Sequence, residues 1–292
     1  MFLVTGLVTA VTVAHRVTAM RCRVLACATP EEALESGLYA PFIRSTFDML
    51  NEFGVQLEPY IFDEELRERE TITGSGKRQA SVRLSTRAYR AAKVRQLRFV
   101  HIEGAGGLQV LNLCIFPELE YGAPSFAADL VTLPGGHLIA LDWAPNGVDR
   151  TRDVLAEGST QSQPAARLTE LFSRHRARLP AGGEVPAESA AFFSSCFLFS
   201  RLPASTGAEA LREAVLPAYE DYLRTYLQLL AEEQPLTDSE ALVQTKKAQL
   251  EYASYRAEKD PARGMLTRLY GADFTEKLIR QVLFDLPYTQ AV

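Results

Sequence analysis

Histidine and cysteine are scarce in this chain, four of each among 292 residues, and their placement removes several kinds of chemistry. Cys22, Cys27, Cys114 and Cys196 form no C-x-x-C pair, and no histidines are spaced as metal ligands, so neither a zinc site nor a disulfide framework is indicated. No G-x-G-x-x-G opens a strand–helix unit and no G-x-x-x-x-G-K-[ST] occurs, which removes the usual grounds for a bound dinucleotide or nucleoside triphosphate. If redox chemistry happens here, its electrons come from elsewhere. A formal net charge of −5 makes general nucleic-acid affinity a poor explanation. What remains, 47% hydrophobic and 23% charged residues, is ordinary globular composition with enough apolar matter for a sizeable core.

Two stretches lack acids. The first 28 residues contain none and carry Arg16, Arg21 and Arg23 among Thr, Ala and Val. Residues 2–14 suit a signal-peptide core but are too short to span a bilayer, so no membrane partner is expected; the basic run after them suits a transit peptide. The expectation is a leader over 1–29 directing the protein to the plastid stroma, followed by one domain over 30–292; a poorly ordered extension is the alternative. The second stretch lies between Glu70 and Glu103 and carries Lys77, Arg78, Arg83, Arg87, Arg90, Lys93, Arg95 and Arg98. On an acidic protein such a cation patch suits salt-dependent docking of a small acidic protein. A merely solvated face is the alternative.

From Pro30 onward, Ala33, Leu38, Phe42, Ile43, Phe47 and Leu50 recur at helical spacing, and the helix should end near NEFG. Four strand-like runs follow: VRQLRFVHIE, LQVLNLCIFP, SFAADLVTLP and HLIALDW. The Pro-Gly-Gly break between the last two is too short for a helical crossover, so neighbouring strands should be antiparallel. Residues 148–178 read as mostly helical, LPAGGEVP as a loop and AFFSSCFLFSRL as another strand. In the helical last third, Leu211, Val215, Tyr219, Tyr222, Tyr226 and Leu230 form one stripe, more in keeping with core than with a cofactor pocket. The order predicts a single α/β domain with helices on both faces of the sheet.

Polar residues on apolar rows stand out against this pattern. Strand alternation places Asn112 with Val110, Cys114 and Phe116, and Asp129 with Ala127, Val131 and Leu133. A buried carboxyl there would have its pKa raised and could serve as a general acid, unless the face opens to water or an arginine pairs with it. Asp142 is a weaker candidate, since it ends its strand and suits a loop cap. In YRAEKDPARGML, Asp260 precedes proline, a favoured helix start; it is either a cap or a proton donor.

LQVLNLCIFP, ADLVTLPGGHLIALD, FFSSCFLFSRLP and YRAEKDPARGMLTRLYG together resemble the ferredoxin-dependent bilin reductases, nearest to the phycoerythrobilin-forming branch, over about residues 38–287. The resemblance implies a three-layer α/β/α sandwich with a central antiparallel sheet and a linear tetrapyrrole held between sheet and C-terminal helices. It implies no bound cofactor: reduced [2Fe-2S] ferredoxin supplies electrons singly, and side chains supply protons to bilin radicals. The substrate implied is 15,16-dihydrobiliverdin, its A-ring diene reduced to (3Z)-phycoerythrobilin, with channelling from the preceding bilin reductase. Alternatives are reduction of biliverdin to 15,16-dihydrobiliverdin, both steps, or a bilin carrier without chemistry. The family's catalytic aspartates fall on Asp129 and Asp260. Arg201 and Arg256 match arginines suited to propionates or to orienting the carboxyls, unless they are ordinary surface ion pairs; Asn112 and Ser194 are further substrate contacts. The phycocyanobilin-forming branch has histidine at position 112 with a catalytic glutamate near Glu103. The plant phytochromobilin branch has aspartate there and asparagine in place of Asp129. Asn112 with Asp129 fits the phycoerythrobilin-forming enzymes, although those making 15,16-dihydrobiliverdin and the viral two-step enzyme share the pair. GAPSFAAD departs from the family's aromatic-and-glycine pattern before the aspartate, which bears on local pocket shape.

Overall fold

A computed structural model describes residues 37–74, 79–145, 163–190 and 192–285, so the acid-free leader, Lys77, Arg78 and residues 146–162 lie outside them. The described chain begins with helix α1 (Ala40–Glu52), whose Phe42, Ile43 and Leu50 are buried, and it stops near NEFG as the sequence predicts. Strands β1 (Glu58–Pro59), β2 (Glu68–Thr73), β3 (Ala80–Ala91), β4 (Val94–Gly104), β5 (Gln109–Pro117), β6 (Ser125–Leu133) and β7 (Gly136–Ala144) follow, then α2 (Gln163–Arg176), the short α3 (Ala187–Ala190) and β8 (Leu198–Pro203). The C-terminal part comprises α4 (Ala208–Glu232), α5 (Ser239–Glu258), α6 (Arg263–Tyr270), α7 (Ala272–Lys277) and a π-helical turn over Leu278–Leu283.

All eight strands form one sheet in the order β1-β3-β4-β5-β6-β7-β8, with β2 also on β3. Every pairing is antiparallel. The four runs read as strands are β4 to β7, and they pair consecutively. At the β6–β7 turn, a Cβ on Gly136 would lie 2.5 Å from the Leu202 carbonyl oxygen, so only glycine lets β8 approach this closely.

Helices cover both faces. On one, Leu113, Phe126, Ile139 and Trp143 pack with Phe42 of α1, Leu168 of α2 and the α4 stripe of Leu211, Val215, Tyr219, Tyr222 and Tyr226. On the other, Val100, Cys114, Ala127, Val131 and Ala140 pack with Tyr252 of α5, Leu266 of α6, and Leu278 and Val282 of the last turn. The arrangement is the expected α/β/α sandwich. Because both faces are covered, β4 to β7 are buried almost throughout, which explains their near-continuous apolar runs. Among the described residues no helix is long and apolar enough to cross a membrane.

Two expectations change. First, the cation-rich stretch supplies β3 and the start of β4, and its charges are largely absorbed inside the fold. Arg87, Arg95 and Arg98 are buried. Glu68 of β2 takes both Arg83 and Arg87, at 2.9 and 3.1 Å. Lys93, left-handed in the β3–β4 turn at φ +65°, donates to Leu230, Ala231 and Glu233 carbonyls at 3.1, 2.8 and 2.7 Å, capping the C-terminal end of α4. Arg87, Arg95 and Arg98 are thereby withdrawn from the docking surface expected of this region, while Lys77 and Arg78 lie outside the described residues. Second, AFFSSCFLFSRL is strand only from Leu198 onward, within Leu198–Pro203, and residues 192–197 before it form a loop held by Ser194. Of residues 148–178, expected to be mostly helical, Gln163–Arg176 are helix and 148–162 lie outside the described residues.

Candidate active site

A polar residue in a strand covered on both faces must find its partner within the protein, and several such residues collect on the face beneath α5 and α6. Registration aligns Asn112 of β5 with Asp129 of β6, which in turn faces Ala140 of β7 and, beyond it, Phe199 of β8. The adjacent row runs Arg98, Cys114, Ala127, Asp142, and the row on the other side ends Val131, Leu138, Arg201. Asp129, Asp142 and Arg98 are wholly inaccessible at 0% exposure, and Asn112 at 1%. The alternative of a water-facing Asp129 is thereby excluded.

Arg98 organises this face. Its guanidinium, a donor only, reaches the Leu283 carbonyl from Nε at 3.0 Å, Asn112 Oδ1 from Nη1 at 2.5 Å and Cys114 Sγ from Nη2 at 3.3 Å. Taking the carboxamide oxygen turns the Asn112 amino group toward Asp129, and Nδ2 donates to Asp129 Oδ1 at 3.2 Å. The chain Arg98–Asn112–Asp129 thus fixes the direction of each dipole and presents the carboxyl group with a donor. The sequence suggested a surface cation at Arg98. Its position opposite Cys114, in the strand next to Asn112, is the signal that places it here.

Asp142 belongs to the same face, buried inside β7 rather than capping a loop at its end. It accepts from the Ser194 N–H at 3.1 Å and from Ser194 Oγ at 2.5 Å, while Ser194 Oγ accepts from Cys196 N at 3.1 Å. Ser194 therefore pins the loop before β8 onto the sheet. That loop carries a ladder of rings: Phe193 stacks on Phe197 at 4.0 Å, Phe197 on Phe199 at 5.7 Å, and Phe192 on Tyr255 of α5 at 4.4 Å. Burial pushes the Tyr252 phenol well above its ordinary pKa, so this ring, 5.9 Å from Phe192, stays a hydrogen-bond donor.

Asp260 follows α5 and is 5% exposed. Its Oδ1 accepts from Ala262 N at 2.7 Å and so holds the Asp-Pro turn; α6 itself begins at Arg263 behind Ala262, without a side-chain cap, two residues later than Asp-Pro suggests. Its Oδ2 is buried without a protein partner. One oxygen holds the turn and the other is left over, so bracing the turn and proton transfer are compatible in this side chain. Flanking Ala257 and Ala262 belong to the same apolar layer as Ala127, Val131 and Ala140, which sets Asp260 on the helix side of the layer whose sheet side bears Asp129.

Arg256, one turn before Asp260, is also buried, its guanidinium 5.9 Å from the Phe284 ring centre, so it is no surface ion pair. Arg201 lies on the same sheet face at its exposed edge, 5.4 Å over Phe199. A depression lined by Glu65, Arg69, Tyr270 and Lys277 and another lined by Gln163, Arg167, Glu170 and Gln228 involve neither aspartate. Among the described residues no cluster of His, Cys, Asp and Glu is gathered to hold a metal ion. The assembly is a closed polar layer with a carboxyl group on each side, roofed by small residues and rings.

The chain matches the family described as ferredoxin-dependent bilin reductase over residues 48–285. It is 43% identical to phycoerythrobilin:ferredoxin oxidoreductase of Nostoc punctiforme, over 85% of this chain and 93% of that one. It is 44% identical to phycoerythrobilin:ferredoxin oxidoreductase of Gloeobacter violaceus, over 85% of this chain and 96% of that one. The crystal structure of phytochromobilin synthase from tomato in complex with biliverdin superposes with a TM-score of 0.72 at 26% identity, covering 86% of this chain and 84% of that one.

Proposed function

The chain belongs to the ferredoxin-dependent bilin reductase family, and from that premise we propose that it reduces the A-ring diene of 15,16-dihydrobiliverdin to (3Z)-phycoerythrobilin. The reduction takes up two electrons, delivered one at a time by reduced ferredoxin, and two protons. Asp129 on the sheet and Asp260 on the helix side donate the protons, so that the bilin radical formed by each electron is quenched within the layer. Asn112 holds Asp129 in place, and Arg256 and Arg201 take the propionates at the buried and exposed ends.

The observation that carries this reading is the pair of buried carboxyls, Asp129 on β6 and Asp260 after α5, the second with an oxygen that no protein group uses. A shielded acid can protonate a radical without admitting bulk water. The names of the relatives at 43% and 44% identity favour the phycoerythrobilin-forming step.

The test is an anaerobic assay with reduced ferredoxin and either 15,16-dihydrobiliverdin or biliverdin, followed by absorbance. Wild-type protein is expected to consume the first and form phycoerythrobilin. Asp129→Asn should lower turnover by about 10²-fold or more, the usual size of a lost general acid. Consumption of biliverdin instead would reassign the step. Tight binding of both pigments without reduction would make the protein a carrier, and a wild-type rate in Asp129→Asn would remove the role given to that carboxyl.

A further inference from the structure

One face of α5 is built in a way that the acids and arginines above do not explain. Thr245, Gln249, Tyr252 and Arg256 recur at spacings of four, three and four residues, which brings them onto one stripe of the helix, and all are buried. Tyr252, with its neighbours Ala253 and Ala257, packs into the layer that contains Ala127 and Ala140, so this stripe faces the sheet surface bearing Asp129. Helix stripes that face a sheet are normally apolar. Here Gln249 is 2% exposed, and neither its Nε2 nor its Oε1 has a hydrogen-bond partner; Thr245, at 0%, has none for Oγ1. A buried carboxamide with both ends idle is costly to the ligand-free fold. It makes sense if a ligand completes it.

We infer that Gln249, assisted by Thr245, is the contact for a terminal lactam of the pigment; the inference rests on the function proposed above. A primary carboxamide offers one donor and one acceptor side by side. The end rings of a linear tetrapyrrole are lactams, whose N–H and C=O lie on the same edge and offer the complementary pair. The two groups meet through two parallel hydrogen bonds, whereas a propionate would satisfy only the donor. Thr245, one turn earlier, supplies a hydroxyl for the remaining lone pair of the lactam oxygen. Fixing one end of a long flat molecule sets its register along the layer. Gln249 would therefore determine which double bond lies beside Asp129 and Asp260.

Gln249→Met tests this, because methionine matches glutamine in length and helix propensity and removes only the polar pair. Affinity for 15,16-dihydrobiliverdin is measured by absorbance titration without ferredoxin, alongside the thermal midpoint of the ligand-free protein. The two readouts should move in opposite senses. Affinity should fall about tenfold or more, the size expected for two neutral hydrogen bonds. The ligand-free midpoint should hold or rise, since an unpartnered buried amide has been replaced by an apolar chain. Gln249→Glu, which keeps the shape and loses the donor, should also bind weakly. Unchanged affinity in Gln249→Met, or a fall in its ligand-free midpoint, would overturn the inference by leaving Gln249 a bystander or a structural residue. If the variants bind like wild type while wild type still reduces the pigment, only this inference falls. If wild type binds no bilin, the parent reading falls with it.

Discussion

Replacing Arg98 with methionine separates two roles for a residue that the sequence places in a cation patch and the structure places under a helix layer. Methionine fills the space of the aliphatic stem but supplies none of the bonds to Leu283 O, Asn112 Oδ1 and Cys114 Sγ. Two buried oxygens then lose their donor, at roughly 1–3 kcal/mol each. The lost desolvation burden of the guanidinium returns part of this, leaving a net destabilisation on the order of 2–4 kcal/mol and a lower unfolding midpoint in urea. Function should suffer separately. Without the guanidinium the Asn112 carboxamide is free to rotate, and Asp129, the proton donor of the proposed reaction, loses a fixed hydrogen-bond donor worth about 0.5–1.5 kcal/mol. That corresponds to roughly 2- to 12-fold in rate. The assay is single-turnover absorbance at saturating reduced ferredoxin, with urea unfolding of the same preparation. The reasoning is refuted if Arg98→Met keeps wild-type stability and kcat and instead raises only the KM for ferredoxin, with a flatter salt dependence. That pattern would return Arg98 to a docking surface.

Two further outcomes follow from groups outside the site. Burial, followed by a partly opposing Gln109 hydrogen bond and the nearby Arg83 charge, brings the His101 pKa down from 6.5 to about 4. The folded protein therefore resists a proton that the unfolded chain accepts: this contribution is complete above pH 6.5 and is lost as pH falls toward 4. The loss should be about 2 kcal/mol by pH 5, and His101→Gln should remove it in urea unfolding compared at pH 7 and 5. Lys93→Met should strip the cap from α4 at a cost of about 1–2 kcal/mol, seen as a fall in Tm of roughly 2–8 °C. An unchanged midpoint would mean that water replaces the ammonium without loss.

Regular periodicity was the legible part of the sequence. The tyrosine and leucine stripe of α4 is core, and β4 to β7 fall on the runs chosen for alternation, so the rows carrying Asn112 and Asp129 could be drawn before any coordinates. Less legible was any feature whose partner lies far along the chain. β3 reads as a string of cations because its counter-charges are Glu68 on the preceding strand and, for Arg95 at the start of β4, Asp285. Alternation among Val82, Leu84 and Ala88 was present there, masked by Arg83 and Arg87 between them. Ser194 came from the resemblance, but its link to Asp142 spans 52 residues, and it turns half of an apparent strand into a loop. On α5 only burial distinguishes Gln249 from the exposed Lys247 two positions earlier.

The last turns of the described chain do more than cover the sheet. Leu283 holds Arg98 across 185 residues, and Asp285 holds Arg95 and Tyr60 across 190 and 225. All of these acceptors leave the ribosome after every strand has been made. A nascent chain thus carries three charged or hydroxyl groups awaiting partners that are still being synthesised, and the layer over this face of the sheet can close only once translation has passed this point.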